Sequence, residues 1–251
     1  MSAQAKPDLE TAPDTRADVR VLDSLPALGS EITTRQLMMC GLFALAGILA
    51  LAIDVPLSQA MFSEKSLHGL HGFLESIEPF GQPPAVIAVS LGVVMCGGVH
   101  RGAGFRIAAG ALLAGLAVLL LKMCVARIRP RHFNFEGTVF DTFSGILPGS
   151  AGSHLQSWPS GHTATAVGFC LALSAVFPKG RWLFRVLAVL VALQRIESGA
   201  HYLSDTLFAA SVAYLVHLAV FGTGPLGRWF DAVEAQWARF DARWSKKSPH
   251  V

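Results

Sequence analysis

Six runs without a charged residue, Leu37 to Ile53, Pro84 to Val99, Ile107 to Leu121, Thr163 to Phe177, Val186 to Gln194 and Thr206 to Gly222, leave this chain little choice of fold. They are apolar almost all round, whereas a helix of a soluble bundle needs a polar face recurring at the 3.6-residue period. Only 15% of the residues are charged and 52% are hydrophobic, against roughly 25% charged in an ordinary soluble domain. The expectation is an all-α polytopic membrane protein with six transmembrane helices in a bundle. Several runs fall short of the roughly 20 residues that cross a bilayer core. They are completed by flanking residues such as Trp182 to Arg185, whose Arg185 can snorkel to the interface.

Residues 1–36 differ: Asp8, Glu10, Asp14, Arg16, Asp18, Arg20 and Asp23 lie among Pro, Ala and Ser with no apolar run. They read as a disordered cytoplasmic tail, residues 37–222 as the six-helix membrane domain, and 223–251 as a cytoplasmic amphipathic tail. In that last segment Trp229, Val233, Trp237, Phe240 and Trp244 recur at helical spacing opposite Asp231, Glu234, Arg239 and Arg243. The pattern predicts a helix lying on the inner leaflet or packed on the bundle. Leu67, Leu70, Leu74 and Ile77, closed by Pro79, predict a short helix serving as a lid or rim at the outer surface. Cys40, Cys96, Cys124 and Cys170 have no metal-binding spacing and read as small buried hydrophobes. A formal charge of +3 gives no reason to expect a nucleic-acid partner.

With the amino terminus in the cytoplasm, Arg35, Arg101, Arg106, Lys179, Arg181, Arg185 and the basic carboxy-terminal residues all fall inside, as the positive-inside rule requires. The remaining polar groups then gather on the outer side: Lys122 ends the third span, Gly161 begins the fourth, Arg195 ends the fifth and His201 precedes the sixth. Ionisable groups this close to lipid are costly unless they have a partner or a task.

Their chemistry suits a phosphate ester, whose oxygens repel a nucleophile until their charge is neutralised. Lys122, Arg129 and Arg195 supply three cations, the arginines with forked donors that match phosphate oxygens. Ser160 and Gly161 add a hydroxyl and backbone N–H groups where a helix begins, a place that already favours an anion. His201 and Asp205 are spaced to share one helix face. The carboxylate can fix the tautomer and leave the other ring nitrogen as nucleophile. His162 is then the acid that protonates the leaving alkoxide. This reading predicts a phosphohistidine intermediate, with no metal and no cofactor. A lone histidine near a helix end is more often a hydrogen-bonded interface residue, and His68, His71, His100, His132, His154 and His217 take that reading. Arg127 and Arg131 read as solvated or headgroup-contacting charges, and Gly199 as a turn before the last span.

Lys122-x6-Arg129-Pro130, Pro159-Ser160-Gly161-His162 and Arg195-x5-His201-x3-Asp205 together resemble, in order and spacing, the three-part signature of the type 2 phosphatidic acid phosphatase and vanadium haloperoxidase superfamily. The resemblance implies a metal-independent phosphatase with His201 as nucleophile, Asp205 orienting it and His162 as general acid. It assigns phosphate binding to Lys122, Arg129, Ser160, Gly161 and Arg195. One position departs: the family usually has Ser before the third-motif Arg, and here it is Gln194. A site at the rim of a membrane bundle is reached most easily by a headgroup whose tails stay in the bilayer. The expected substrate is therefore a lipid phosphate monoester or diphosphate such as phosphatidic acid, phosphatidylglycerol phosphate, undecaprenyl diphosphate or phosphorylated lipid A. The expected location is a bacterial inner membrane, with the site facing the periplasm or exterior. The rival readings are a lipid-linked phosphotransferase using the same first step, a vanadium haloperoxidase, and an anion transporter.

Overall fold

The computed structural model describes residues 34–63, 68–96, 100–146 and 152–247. The expectations for residues 1–33 and for Leu67 lie outside them. Among the described residues, each of the six apolar runs lies mostly in helix. Helix α1 (Thr34–Ala50) breaks into α2 (Asp54–Ser63), and α3 (His68–Ile77) runs through a 3-10 turn (Glu78–Gly81) into α4 (Pro83–Cys96). Then come α5 (Ala103–Lys122), α6 (Gly161–Val176), α7 (Arg181–Glu197), α8 (Leu203–Phe221) and α9 (Pro225–Lys247). The all-α expectation needs one amendment. Between α5 and α6, β1 (Val125–Arg127) pairs antiparallel with β2 (Phe143–Ile146), with a bulge between Ala126 and Arg127.

Among the described residues two helices, Ala103–Lys122 and Leu203–Phe221, are each long and apolar enough to cross a membrane. Up to four spans result if each bent pair counts as one, Thr34–Ala50 with Asp54–Met61 at 73° and Gly69–Gly81 with Pro83–Cys96 at 60°. The outward faces are those of a protein solvated by hydrocarbon: Leu42, Leu45 and Leu49 on α1, Leu116, Leu119 and Leu120 on α5, and Leu183, Val186 and Val189 on α7 are all exposed. With lipid tails as apolar as these side chains, close contact between small residues carries helix association.

Helix α6 is the centre of the bundle, packed on α5, α7 and α8. Its Ala164, Ala166, Phe169, Ala172 and Leu173 are buried. Gly168 is a point of close approach to α5, where an added Cβ would stand 2.7 Å from the Gly110 carbonyl oxygen. Gly110 in turn has room for a Cβ only at 3.3 Å from that of Ala172.

At the opposite end from the motif residues, α9 satisfies both halves of its sequence pattern. Arg106 of α5 is fully buried and donates from Nη2 to Asp231 Oδ1 and to the Gly227 carbonyl, each at 2.6 Å. Its Nη1 lies 3.4 Å from Glu234 Oε2. The acidic face of α9 is thereby tied to the bundle, while Trp229 and Phe240 stay exposed. The cysteines meet their reading in part: Cys170 is buried, Cys40 donates to the Ser211 carbonyl at 3.6 Å, and Cys96 and Cys124 are exposed.

Gly168→Ala places a methyl group against backbone that cannot retreat without separating α5 from α6. Overpacking of this kind costs about 1–3 kcal/mol. A lowered thermal midpoint in detergent is the expected outcome, and an unchanged midpoint would contradict the close approach.

Candidate active site

The three motifs meet because α6 touches the helices that carry the other two. Lys122 closes α5, and its Nζ donates to the Gln156 carbonyl at 2.7 Å, which fixes the approach to α6. Arg129 is held in extended backbone just before Pro130, its N–H donating to the His154 carbonyl at 2.9 Å. Arg129 Nε is buried and has no hydrogen-bond partner among the described residues. Burial, then the charges of Arg131 and Arg195, push its guanidinium below the ordinary range. A cation so placed is short of negative charge, and an anion would supply it.

Ser160 caps α6: its Oγ accepts from Thr163 N at 3.4 Å and from Thr163 Oγ1 at 2.9 Å. Both bonds use oxygen lone pairs, so the Ser160 hydroxyl hydrogen stays available for an acceptor. Next to it an added Cβ on Gly161 would meet nothing within 4 Å, so the first turn of α6 borders open space.

His201 sits in the bend between α7 and α8, after Gly199, which has φ of 63° and is the expected turn. The bend is closed by His201 N donating to the Arg195 carbonyl at 3.1 Å, which ties the nucleophile candidate to the third cation. His201 Nδ1 lies 2.5 Å from the Ser157 carbonyl oxygen and 3.7 Å from Asp205 Oδ2. The close acceptor that fixes the tautomer is therefore the Ser157 backbone. A proton on Nδ1 leaves the Nε2 lone pair free. Burial pushes the imidazole down to about 4; the nearby Lys122 and Arg129 charges act in the same direction, and Asp205 opposes them.

Asp205 is fully buried and contacts His201 only at ion-pair range, while it accepts from Ser157 Oγ at 2.6 Å and from Tyr202 N at 2.9 Å. Its strongest partner is Arg127, whose Nη1 donates to Oδ1 at 2.5 Å. The reading of Arg127 as a solvated charge is corrected here, because its exposure is 0%. The β1–β2 pairing carries it inward between two carboxylates. Nη2 donates to Asp54 Oδ2 at 2.8 Å, Nε to Thr142 Oγ1 at 3.1 Å, and the guanidinium lies 4.2 Å from the Tyr202 ring centroid. Asp54, at the break between α1 and α2, also accepts from Ser204 N at 3.0 Å and from the Ser204 hydroxyl. Arg131, by contrast, is exposed as expected.

Arg195 is held from two sides: its Nε donates to Gln194 Oε1 at 2.5 Å, and its Nη2 lies 3.0 Å from Glu78 Oε2. Gln194, where the resemblance expects Ser, thus reaches the guanidinium directly. The same Glu78 places Oε1 3.3 Å from His162 Nε2. Among the described residues no group of three or more His, Cys, Asp or Glu is arranged to hold a metal ion. Ser157, Arg127, Asp54 and Glu78 were not foreseen as parts of this constellation. Only Arg127, five residues after Lys122 in an otherwise apolar stretch, left a signal that could have been followed.

Residues 103–226 match the family model of the PAP2 superfamily. All three motifs fall within that stretch; Asp54 and Glu78 fall outside it. A lipid A 1-phosphatase of Rhizobium johnstonii is 34% identical over 124 residues, which is 49% of this chain and 43% of that protein. A lipid A 1-phosphatase of Rhizobium etli is 36% identical over 97 residues, 38% of this chain and 39% of that protein. The chain thus spans about two fifths of the length of these relatives. No solved structure matches it significantly.

Arg127→Ala leaves Asp54 and Asp205 buried without their cation. Breaking a buried pair in this way costs about 3–5 kcal/mol. A large fall in the detergent unfolding midpoint is expected, and a shift no greater than that of an exposed Arg131→Ala variant would contradict the network.

Proposed function

We propose that the chain hydrolyses a lipid phosphate through a phosphohistidine on His201. The observation that carries the reading is a buried imidazole, fixed at Nδ1 by the Ser157 carbonyl, with the charges of Lys122 and Arg129 acting on it and that of Arg195 acting in turn on Arg129. In the first step the Nε2 lone pair attacks phosphorus as the bond to the lipid oxygen breaks, and His162 gives that oxygen a proton. In the second step His162 takes a proton from water as the water attacks the phosphohistidine, releasing phosphate and restoring Nε2. Lys122, Arg129 and Arg195 with the Ser160 hydroxyl and Gly161 N–H hold the equatorial oxygens, where charge must be stabilised in both steps. Asp205 serves by locking Ser157, and through it the His201 ring.

The six apolar helices form a six-span bundle in this reading, and the loop-rich end carrying the site faces away from the cytoplasm. We infer a bacterial inner membrane from the bacterial origin of the two relatives, and a site toward the periplasm from the charge bias. The activity for which the two relatives are named makes the 1-phosphate of lipid A the first substrate to test, with phosphatidic acid and undecaprenyl diphosphate beside it.

Purified protein in detergent, without added metal, is expected to release phosphate from at least one of these lipids. His201→Ala should reduce the rate by at least about 10³-fold, the scale seen when a covalent catalytic group is removed. Release that survives this substitution would overturn the assignment, and so would vanadate failing to compete. Because burial holds His201 neutral until about pH 4, the acid limb of kcat/KM, corrected for ionisation of the substrate, is expected near that value. A limb near the ordinary histidine value of 6.5 would mean the imidazole is solvated. A cysteine at Ser153, placed after the native cysteines are removed, should react with an impermeant thiol reagent on intact cells. Labelling only after lysis reverses the topology.

A further inference from the structure

Glu78 lies outside the three motifs and outside the stretch matched by the family model, yet its carboxylate bridges the proposed general acid and one proposed phosphate anchor. Oε1 stands 3.3 Å from His162 Nε2 and Oε2 stands 3.0 Å from Arg195 Nη2. The carboxylate is itself steadied by Gln82, whose Nε2 donates to Oε1 at 3.1 Å. It rides on the 3-10 turn between α3 and α4, and that turn is pressed onto the first turn of α6. An added Cβ on Gly81 would stand 2.7 Å from the His162 carbonyl oxygen and 2.9 Å from Val191 Cγ1. The ring of Phe80 packs on Phe169 of α6 at 4.9 Å between centroids. A second tie holds the same segment to the end of α7, where His71 Nδ1 lies 3.0 Å from both Glu197 carboxylate oxygens. The placement of Glu78 is thus fixed by packing that does not involve its charge.

We infer that Glu78 is a positioning residue for the proton-transfer half of the reaction, acting through His162. The inference rests on the phosphohistidine reading above. His162 shares its surroundings with the cations Lys122, Arg129 and Arg195. Glu78 is the carboxylate that stands against the ring and counters them. With Nε2–H turned toward Glu78, Nδ1 is the nitrogen that exchanges the proton. Its proton goes to the lipid oxygen as the phosphorus–oxygen bond breaks, and a proton from the attacking water returns to it. Glu78 keeps the negative charge throughout, as a carboxylate beside a catalytic imidazole does in other acid–base pairs. Its hold on Arg195 has an additional consequence. In the empty site one phosphate anchor is already paired, so an arriving phosphate competes with Glu78 for that guanidinium.

The two roles separate by leaving group. A lipid alkoxide needs a proton as it departs, whereas p-nitrophenolate does not. Glu78→Gln keeps the shape and removes the charge. It is expected to lower kcat/KM for the lipid phosphate about 10–100-fold, toward the lower range of general-acid effects. The value for p-nitrophenyl phosphate should change less than about threefold, and vanadate should inhibit at the same or lower concentration. Glu78→Asp should recover part of the loss, and Glu78→Gln added to His162→Ala should cost little more than His162→Ala alone. Equal losses on both substrates, weakened vanadate inhibition, or full additivity with His162→Ala would overturn the inference. Unchanged activity on the lipid would do so as well. Vanadate inhibition in each variant reports a folded site. The underlying reading fails separately, if the unaltered protein releases phosphate from neither substrate or if His201→Ala remains active.

Discussion

A single guanidinium with no exposure to solvent ties together parts of the chain that are otherwise far apart. Arg127 in β1 binds Asp54 at the break between α1 and α2, and Asp205 in the first turn of α8. A cation and two carboxylates removed from solvent are tolerable only when each charge is answered and the remaining donors and acceptors are filled. Thr142, Ser204, Ser157 and the Tyr202 amide do that filling. The outcome is a rigid floor beneath the site. Ser157 is fixed by Asp205, and the Ser157 carbonyl fixes the His201 ring.

Above that floor the arrangement is deliberately unbalanced. Lys122 is held by one backbone carbonyl, Arg195 by Gln194 and Glu78, and Arg129 keeps one buried donor unused. The folded protein carries this cost because the bundle is held elsewhere, by the close contact of α5 with α6 and by the Arg106 clamp on α9. In the proposed reaction, charge left short before a substrate binds becomes binding energy for an anion, and that energy grows as a phosphoryl group spreads its charge over equatorial oxygens. Glu78 moderates the imbalance on one side only, where Arg195 and His162 stand.

Much of this was legible in the chain because it depends on local spacing. The apolar runs became helices as expected, and the three motifs came together since each lies at a helix end. Gly199 is the turn it was read to be, and the amphipathic pattern after Pro225 forms one helix that docks by its acidic face. What was not legible depends on pairing across distance. Arg127 looked like a surface charge because its apolar neighbours hint at burial without showing that β2 will turn it inward. Asp54 is a lone acid at the end of an apolar run, and its partner is 73 residues away. The acceptor for His201 is a backbone carbonyl, which leaves no mark in a sequence. Glu78 sat within a stretch read only for its apolar stripe, since the bend that lays it on α6 is a property of packing around Gly81.

The central claim is that the imidazole of His201 becomes covalently bonded to phosphorus. Rapid quenching of the protein with a radiolabelled lipid phosphate, followed by mapping of the labelled peptide, tests it most directly. The account predicts a phosphoenzyme stable in base and labile in acid, mapped to His201, accumulating when His162 is replaced and missing when His201 is replaced. Phosphate release at full rate with no such species on His201, or with the label on another residue, would contradict it.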